Sequence, residues 1–327
     1  MRELKSALVL GGAGFLGSWI VRALKAQRVA TIVVDDLSTG DGSNLDPKDL
    51  VVSDVRSADL NRIMRERAVD VVFHLASRAY VPPSFDQPLE DLERNAGTTL
   101  MVLEAARRLR PSPLVVCASS AAVYGEGTRM PMAEDHPIKP LSPYGISKYA
   151  AEEYVRLYAE LYGVPAISLR LFSVYGPGQR KQVVYDLLCR ALAGQAPLTV
   201  LGLPDVSRDL VFVVDAARAF LDLAVRAPAR GEAYNVASGS PTTLAALVET
   251  VLQVLDVELS VRFTGAVRPG DPRRWQGDPG RAGRLGVECR TPLADGIRRT
   301  AQWVKASAGG ELAPVPVRPA GVVGERA

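Results

Sequence analysis

Ala7-Leu-Val-Leu-Gly-Gly-Ala-Gly-Phe-Leu-Gly17 places four apolar residues in front of a glycine-spaced turn. The apolar run reads as a short buried strand. Gly11, Gly14 and Gly17 then allow a tight turn, close approach of backbone to a pyrophosphate, and a helix N-terminus aimed at negative charge. Glycines at this spacing also occur in ordinary tight turns, so a second feature has to decide. One helix later, Thr31-Ile-Val-Val-Asp-Asp36 supplies another apolar strand, and it ends in carboxylates. Asp35 lies near the distance at which such folds hold the adenosine ribose hydroxyls. The two segments together predict a dinucleotide site at the start of the chain.

Outward from that pair, the first half alternates strand-like and helix-like stretches. Residues 7–10, 31–34, 50–52, 69–75, 114–118 and 166–171 are short, β-branched and not alternated with polar residues. Strands covered by helices on both faces read this way. Amphipathic stretches at 18–26, 92–109 and 143–161 lie between them, which predicts an α/β fold with a doubly wound parallel sheet. After about Gly176 the pattern weakens. Helices are expected at 183–193, 215–225 and 244–255, and short strands near 198–200, 233–236 and 261–263. The expected division is therefore a dinucleotide-binding domain over 1–176, and a smaller mixed α/β substrate-binding region over 177–308 from which some segments return to the sheet. A loosely ordered tail is expected over 309–327.

Composition removes several classes of function. A net charge of +3 over 327 residues, without Lys and Arg interleaved with aromatics, gives no nucleic-acid footprint. Cys117, Cys189 and Cys289 are far apart and offer neither a disulfide framework nor metal spacing, and there are only two histidines. No apolar run reaches membrane-spanning length and no signal peptide is visible. A cytoplasmic protein without metal or membrane partner is expected.

Tyr144-Gly-Ile-Ser-Lys148 carries the chemistry. A Tyr and a Lys four apart share one helix face. The ammonium beside the phenol, with a cationic nicotinamide nearby, favours the phenolate. That phenolate can take a proton from an alcohol while hydride leaves the same carbon. Ser120, at the end of the fifth predicted strand, is the natural donor to the reacting oxygen.

With these residues in place, the chain resembles the extended short-chain dehydrogenase/reductase family, in its NAD-dependent nucleotide-sugar epimerase/dehydratase group. The resemblance covers about residues 5–300. It rests on the turn at 11–17, Asp35-Asp-Leu-Ser-Thr-Gly40, Asp54-Val55, His74-Leu-Ala76 and Asn95. Further along it rests on Ser119-Ser-Ala-Ala-Val-Tyr-Gly125, Pro143 to Lys148, Arg170 to Gln179, Arg208 to Asp215 and Arg268-Pro-Gly-Asp271. It implies a Rossmann-type sheet and NAD as cofactor. Gly11, Gly14, Phe15, Leu16, Gly17, Asp35, Asp36, Ser38, Gly40, Asp54, Val55, Leu75, Ala76, Asn95, Tyr144 and Lys148 would form the cofactor site. An acid at Asp35 disfavours a 2′-phosphate. Ser120, Tyr144 and Lys148 would be catalytic. Ser120, Tyr144, Ser173, Arg208, Arg268 and Asp271 would meet a nucleotide-diphosphate sugar, the arginines flanking the diphosphate. Relatives generally form homodimers, so a homodimer is expected.

Which reaction follows depends on residues next to Ser120. Related 4,6-dehydratases place an Asp-Glu pair after the catalytic hydroxyl, and UDP-glucuronate decarboxylases commonly carry a Glu before Val-Tyr-Gly. This chain has Ala121-Ala122. The remaining simple chemistry is NAD-dependent epimerisation at C4 through a transient 4-keto sugar, with UDP-hexose or UDP-hexuronate favoured. Among relatives, motifs of the UDP-glucose 4-epimerase type match best. Ser173 stands where the family usually has Asn, as in some uronic-acid 4-epimerases. Thr98-Thr99 replaces a usual Gly-Thr, a change expected to affect helix packing more than chemistry. The alternatives are a 4-ketoreductase, a 3,5-epimerase or a decarboxylase of the same group, or an NAD-binding protein without activity.

Overall fold

Alternate residues of the first strand leave for opposite sides. Ala7 and Val9 join one core cluster, while Leu8 and Leu10 join another. All four are fully buried, which requires helices on both faces of the sheet and explains why this strand has no polar alternation. The computed structural model describes residues 2–308 apart from 41, 44, 78 and 267–269.

The described residues form twelve strands: β1 (Ser6–Leu10), β2 (Ala30–Asp35), β3 (Leu50–Val52), β4 (Val71–His74), β5 (Leu114–Ser120), β6 (Ala166–Leu171), β7 (Ser173–Tyr175), β8 (Leu198–Val200), β9 (Ser207–Phe212), β10 (Arg230–Val236), β11 (Pro241–Thr243) and β12 (Val261–Phe263). Seven form one sheet in the order β10-β6-β5-β4-β1-β2-β3. Every pairing in it is parallel. The six strands expected in the first half are all there, and β10, from later in the chain, lies beside β6. Two small sheets, β11-β9-β7 and β12-β8, complete the strand structure.

One face of the main sheet is covered by the helices Phe15–Ala26 and Val213–Arg226, which bury Trp19, Ile20, Phe220 and Leu223 against Val9, Val33, Phe73 and Val116. The other face receives Met64, Val102, Leu103 and Val155 from the helices Leu60–Glu66, Thr98–Arg107 and Pro143–Tyr162. Full burial of a Val, Leu or Phe side chain contributes about 1.5–3 kcal/mol, so these two apolar layers dominate stability. No helix among the described residues is long and apolar enough to cross a membrane.

The chain leaves β1 toward β2 and β3, then crosses back so that β4 lies on the other side of β1. Ligands of open α/β sheets settle at such a reversal, beyond the carboxyl ends of the strands. Gly11 follows β1 there, and Leu75-Ala76 follow β4. The helix Pro143–Tyr162 is placed just as definitely by its sequence. Ser142 accepts a hydrogen bond from the Gly145 N–H at 3.1 Å, Pro143 occupies the first helical position, and Gly163 ends the helix at φ +64°.

Candidate active site

A cleft of about 1740 Å³ runs along the carboxyl ends of the strands. Single small-molecule pockets span roughly 300–1,000 Å³, so this one has room for a dinucleotide and a second ligand together.

Its floor is the glycine turn. A β-carbon on Gly11, where φ is +82°, would lie 2.7 Å from the Ala76 nitrogen. One on Gly17 would overlap the Gly11 carbonyl, and one on Gly40 the Ala13 carbonyl. The helix Phe15–Ala26 starts at Gly14 with no side-chain cap and no acid in its first turn. Its first N–H groups are therefore available to an anion. Asp35 sits under the turn, its two carboxylate oxygens accepting from Ala13 N–H at 2.8 Å and Leu37 N–H at 2.9 Å. Each oxygen keeps a second lone pair that a ribose hydroxyl can use. Asp36 accepts from Ser38, and Asp54 accepts from the Arg56 guanidinium. Phe15, Leu16, Val55 and Leu75 line the same end.

Asn95 departs from expectation, because it does not line the cleft. The backbone widens into a π turn over Glu93–Gly97. This turns Asn95 inward, where its amide donates to Asp91 at 3.1 Å and to Ser147 at 2.9 Å. Arg94 and Thr98 face the cleft instead. The Thr98 and Thr99 hydroxyls donate to the carbonyls of Arg94 and Asn95 at the π turn, at 2.7 and 2.8 Å.

At the other end of the cleft, β5 and the helix Pro143–Tyr162 bring Ser120, Tyr144 and Lys148 together. Ser120 ends its strand and accepts from Ala122 N–H at 3.1 Å. Lys148 is 4% exposed, and its ammonium donates to Ser77 Oγ at 2.9 Å and to the Ala118 carbonyl at 3.0 Å. It lies 5.8 Å from the Tyr144 ring centre. Burial pushes the Tyr144 phenol up to about 12; its hydrogen bond to Ser120 opposes the shift and the nearby Asp91 charge adds to it. Burial lowers the Lys148 ammonium to about 8, against the charges of Cys117, Asp91 and Glu152. His74, on the neighbouring strand, is held near 3 by burial and by Lys148, so it is neutral at pH 7.

Beyond this point Ser173, Arg208 and Asp271 line the cleft; Arg268 lies outside the described residues. The Arg208 guanidinium stands 5.5 Å over the Trp275 ring. Burial lowers its pKa, with Asp271 and Glu126 opposing. Trp275 is held by an indole hydrogen bond to the Gly125 carbonyl at 2.9 Å. Sequence reasoning missed Ser77 and Trp275, which sit in no recognisable motif. Ala121 is fully buried, and Ala122 lines the cleft beside Ser120. The described cleft residues from β4 through β7 that surround Tyr144 include no carboxylate.

A model of the NAD dependent epimerase/dehydratase family matches residues 7–237. The chain belongs to that family. Its chemistry is the NAD-dependent epimerisation or dehydration of nucleotide sugars. A putative UDP-glucose 4-epimerase of Methanocaldococcus jannaschii is 35% identical over 306 residues, covering 91% of this chain and 98% of the relative. The solved UDP-glucose 4-epimerase of Thermotoga maritima, with UDP-glucose, superposes with a TM-score of 0.86 at 30% identity, over 93% of this chain and 99% of the other. The UDP-glucuronic acid 4-epimerase of Bacillus cereus, solved with UDP-glucuronic acid and NAD, gives 0.84 at 25% identity, over 92% and 99%.

Proposed function

We propose that this member of the family epimerises a UDP-hexose or UDP-hexuronate at C4. The observation that carries the reading is the make-up of the reacting end of the cleft. Tyr144 is the proton-transfer group there, and Ala121-Ala122 leave no acid–base pair for elimination of water across C5 and C6.

The residues present fit NAD. The glycine turn admits a pyrophosphate where side chains would collide, and the uncapped helix faces it. Asp35 offers ribose acceptors, and Lys148 reaches the nicotinamide end. Bound NAD supplies a hydride acceptor and, after C4 is oxidised, the donor that restores it. Tyr144 takes the C4 hydroxyl proton and later returns one. Ser120 holds the reacting oxygen, and the Lys148 ammonium favours the phenolate. Arg208 on its Trp275 platform binds the diphosphate. The sugar turns between the two hydride transfers, so no net redox change occurs. Arg180 and Lys181 line the cleft, and their cationic groups suit a uronate carboxylate as well as the phosphates. Exposed Leu89, Met101, Ile146 and Leu161 on neighbouring helices suit self-association as a dimer.

The test is product analysis by NMR in D2O without added cofactor, on UDP-glucose, UDP-galactose, UDP-GlcNAc, UDP-glucuronate and UDP-galacturonate. Approach to one C4-epimer mixture from both sides, with no deuterium at carbon, is expected. Deuterium at C3 or C5, or turnover only with added NADH, would replace the reading with a 3,5-epimerase or a ketoreductase. Gly17→Ala, which drives a β-carbon into the Gly11 carbonyl, is expected to weaken NAD binding by about 100-fold in calorimetry. Wild-type affinity in that variant would mean that the pyrophosphate lies elsewhere.

A further inference from the structure

Below the cleft lies a buried ion pair that the chemistry above does not use. Arg170 on β6 and Glu152 on the helix Pro143–Tyr162 are 7% and 6% exposed at their side chains, and 2.8 Å apart. Arg170 Nε adds contacts of 3.1 Å to both Glu152 oxygens. Buried pairs contribute little net stability, because desolvation offsets the attraction. What this pair touches is more informative than its energy.

Both ends of one short segment are fastened to it. Ser119 donates its hydroxyl to Glu152 Oε1 at 2.5 Å. Five residues on, the Tyr124 hydroxyl accepts from Arg170 Nη1 at 2.9 Å and donates to Asn235 on β10 at 2.7 Å. The guanidinium also lies 4.8 Å over the Tyr124 ring. Between these two anchors run Ser120 and the 3-10 turn Ala121–Val123. Sheet pairing sets Ser119 directly opposite Arg170, so the anchor needs no backbone distortion. Glu152 stands one helical turn beyond Lys148, whose ammonium holds the carbonyl of Ala118 on the same strand.

We propose that the Arg170–Glu152 pair is a positioning unit, fixing the segment Ser119–Tyr124 so that the Ser120 hydroxyl meets Tyr144 and the reacting oxygen. The inference rests on the C4 chemistry proposed above and gives a role to Arg170 and Glu152, which lie behind the cleft lining. Misplacement of a catalytic group by about 1 Å can cost 100-fold in rate; Ser120 is the last residue of β5, and beyond it the segment leaves the sheet for the turn that Tyr124 fastens.

Ser119→Ala and Tyr124→Phe each remove one anchor while leaving both charges paired, so neither strands a buried ion. The double variant, with its NAD, is expected to show kcat about 30-fold lower, with KM and NAD content within threefold of wild type. Hydrogen exchange at the amides of Ala122, Tyr124 and Gly125 is expected to quicken at least tenfold, with Val115 and Val116 unchanged. Wild-type kcat, or a fall in kcat without faster exchange in the turn, would overturn the proposal. A wild-type protein silent on every sugar would sink the C4 reading instead, and the exchange rates would then decide whether the pair holds the turn.

Discussion

Tyr144→Phe is expected to lower kcat by about 1,000-fold, within the range of 10²–10⁴ typical for loss of a positioned proton-transfer group. The ring is buried, and Phe keeps its shape. The glycine turn and Asp35 are remote from the lost hydroxyl, so NAD released by acid treatment should match wild type mole for mole. The pH profile gives a second signature. In the cofactor-free protein burial holds the phenol near 12, and Ser120 alone opposes the shift through a hydrogen bond. Activity at neutral pH therefore requires positive charge beside Tyr144 beyond what the cofactor-free protein supplies, and the oxidised nicotinamide would bring it. The acidic limb of wild-type kcat should report that ionisation and should vanish in the residual activity of the variant. A variant with more than a tenth of wild-type kcat would mean that another group moves the proton.

Lys148→Met is expected to abolish turnover and to stabilise the cofactor-free protein. Burial lowers the ammonium from 10.5 to about 8, and a shift of that size corresponds to about 3 kcal/mol against the charged form at pH 7. The Met side chain fills similar space without the charge, although it gives up the hydrogen bonds to Ser77 and Ala118. A net gain on the order of 1–3 kcal/mol should remain. The sign of the pH dependence follows from proton binding. Between about pH 8 and 10.5 the unfolded Lys holds a proton that the folded one has lost, so wild-type stability rises with pH across that window. The stability gap between variant and wild type should be largest below pH 8 and close toward pH 10.5. Denaturant unfolding at pH 7 and pH 10 measures it. A variant less stable than wild type at pH 7 would show that the two hydrogen bonds outweigh the buried charge.

The doubly wound sheet was legible because its strands are buried on both faces and are mostly unbroken apolar runs. β9 was not, since Arg208 and Asp209 interrupt its apolar pattern. Asp209 is nevertheless fully buried, accepting from Ser238, Gly239 and Gly277. β7 (Ser-Val-Tyr) and β11 (Pro-Thr-Thr) lack the apolar residue at each end that marks the equally short β3, β8 and β12. The side chains proposed as catalytic, Ser120, Tyr144 and Lys148, were placed at one end of the cleft by strand end and helical spacing. The inward turn of Asn95 was not, because a π turn shifts register without a composition signal. Glu152 did leave a trace, an acid four residues after Lys148 on a buried helix face, but its meaning needed Arg170 and Ser119 in space.

β6 and β10 are neighbours in the sheet, yet 58 residues of sequence lie between Leu171 and Arg230. Ser173, Arg180 and Arg208 all belong to that excursion, which leaves one strand and returns to the next. On the proposed reading, the part of the sugar site that this excursion carries is separable from the hydride chemistry by transplantation, while Asp271 and Trp275 stay behind. A relative's excursion could be spliced between the same two strands, leaving Ser120, Tyr144 and Lys148 untouched. Besides its length, the graft would have to present edges that Pro241–Thr243 and Val261–Phe263 can pair with, as β9 and β8 do now.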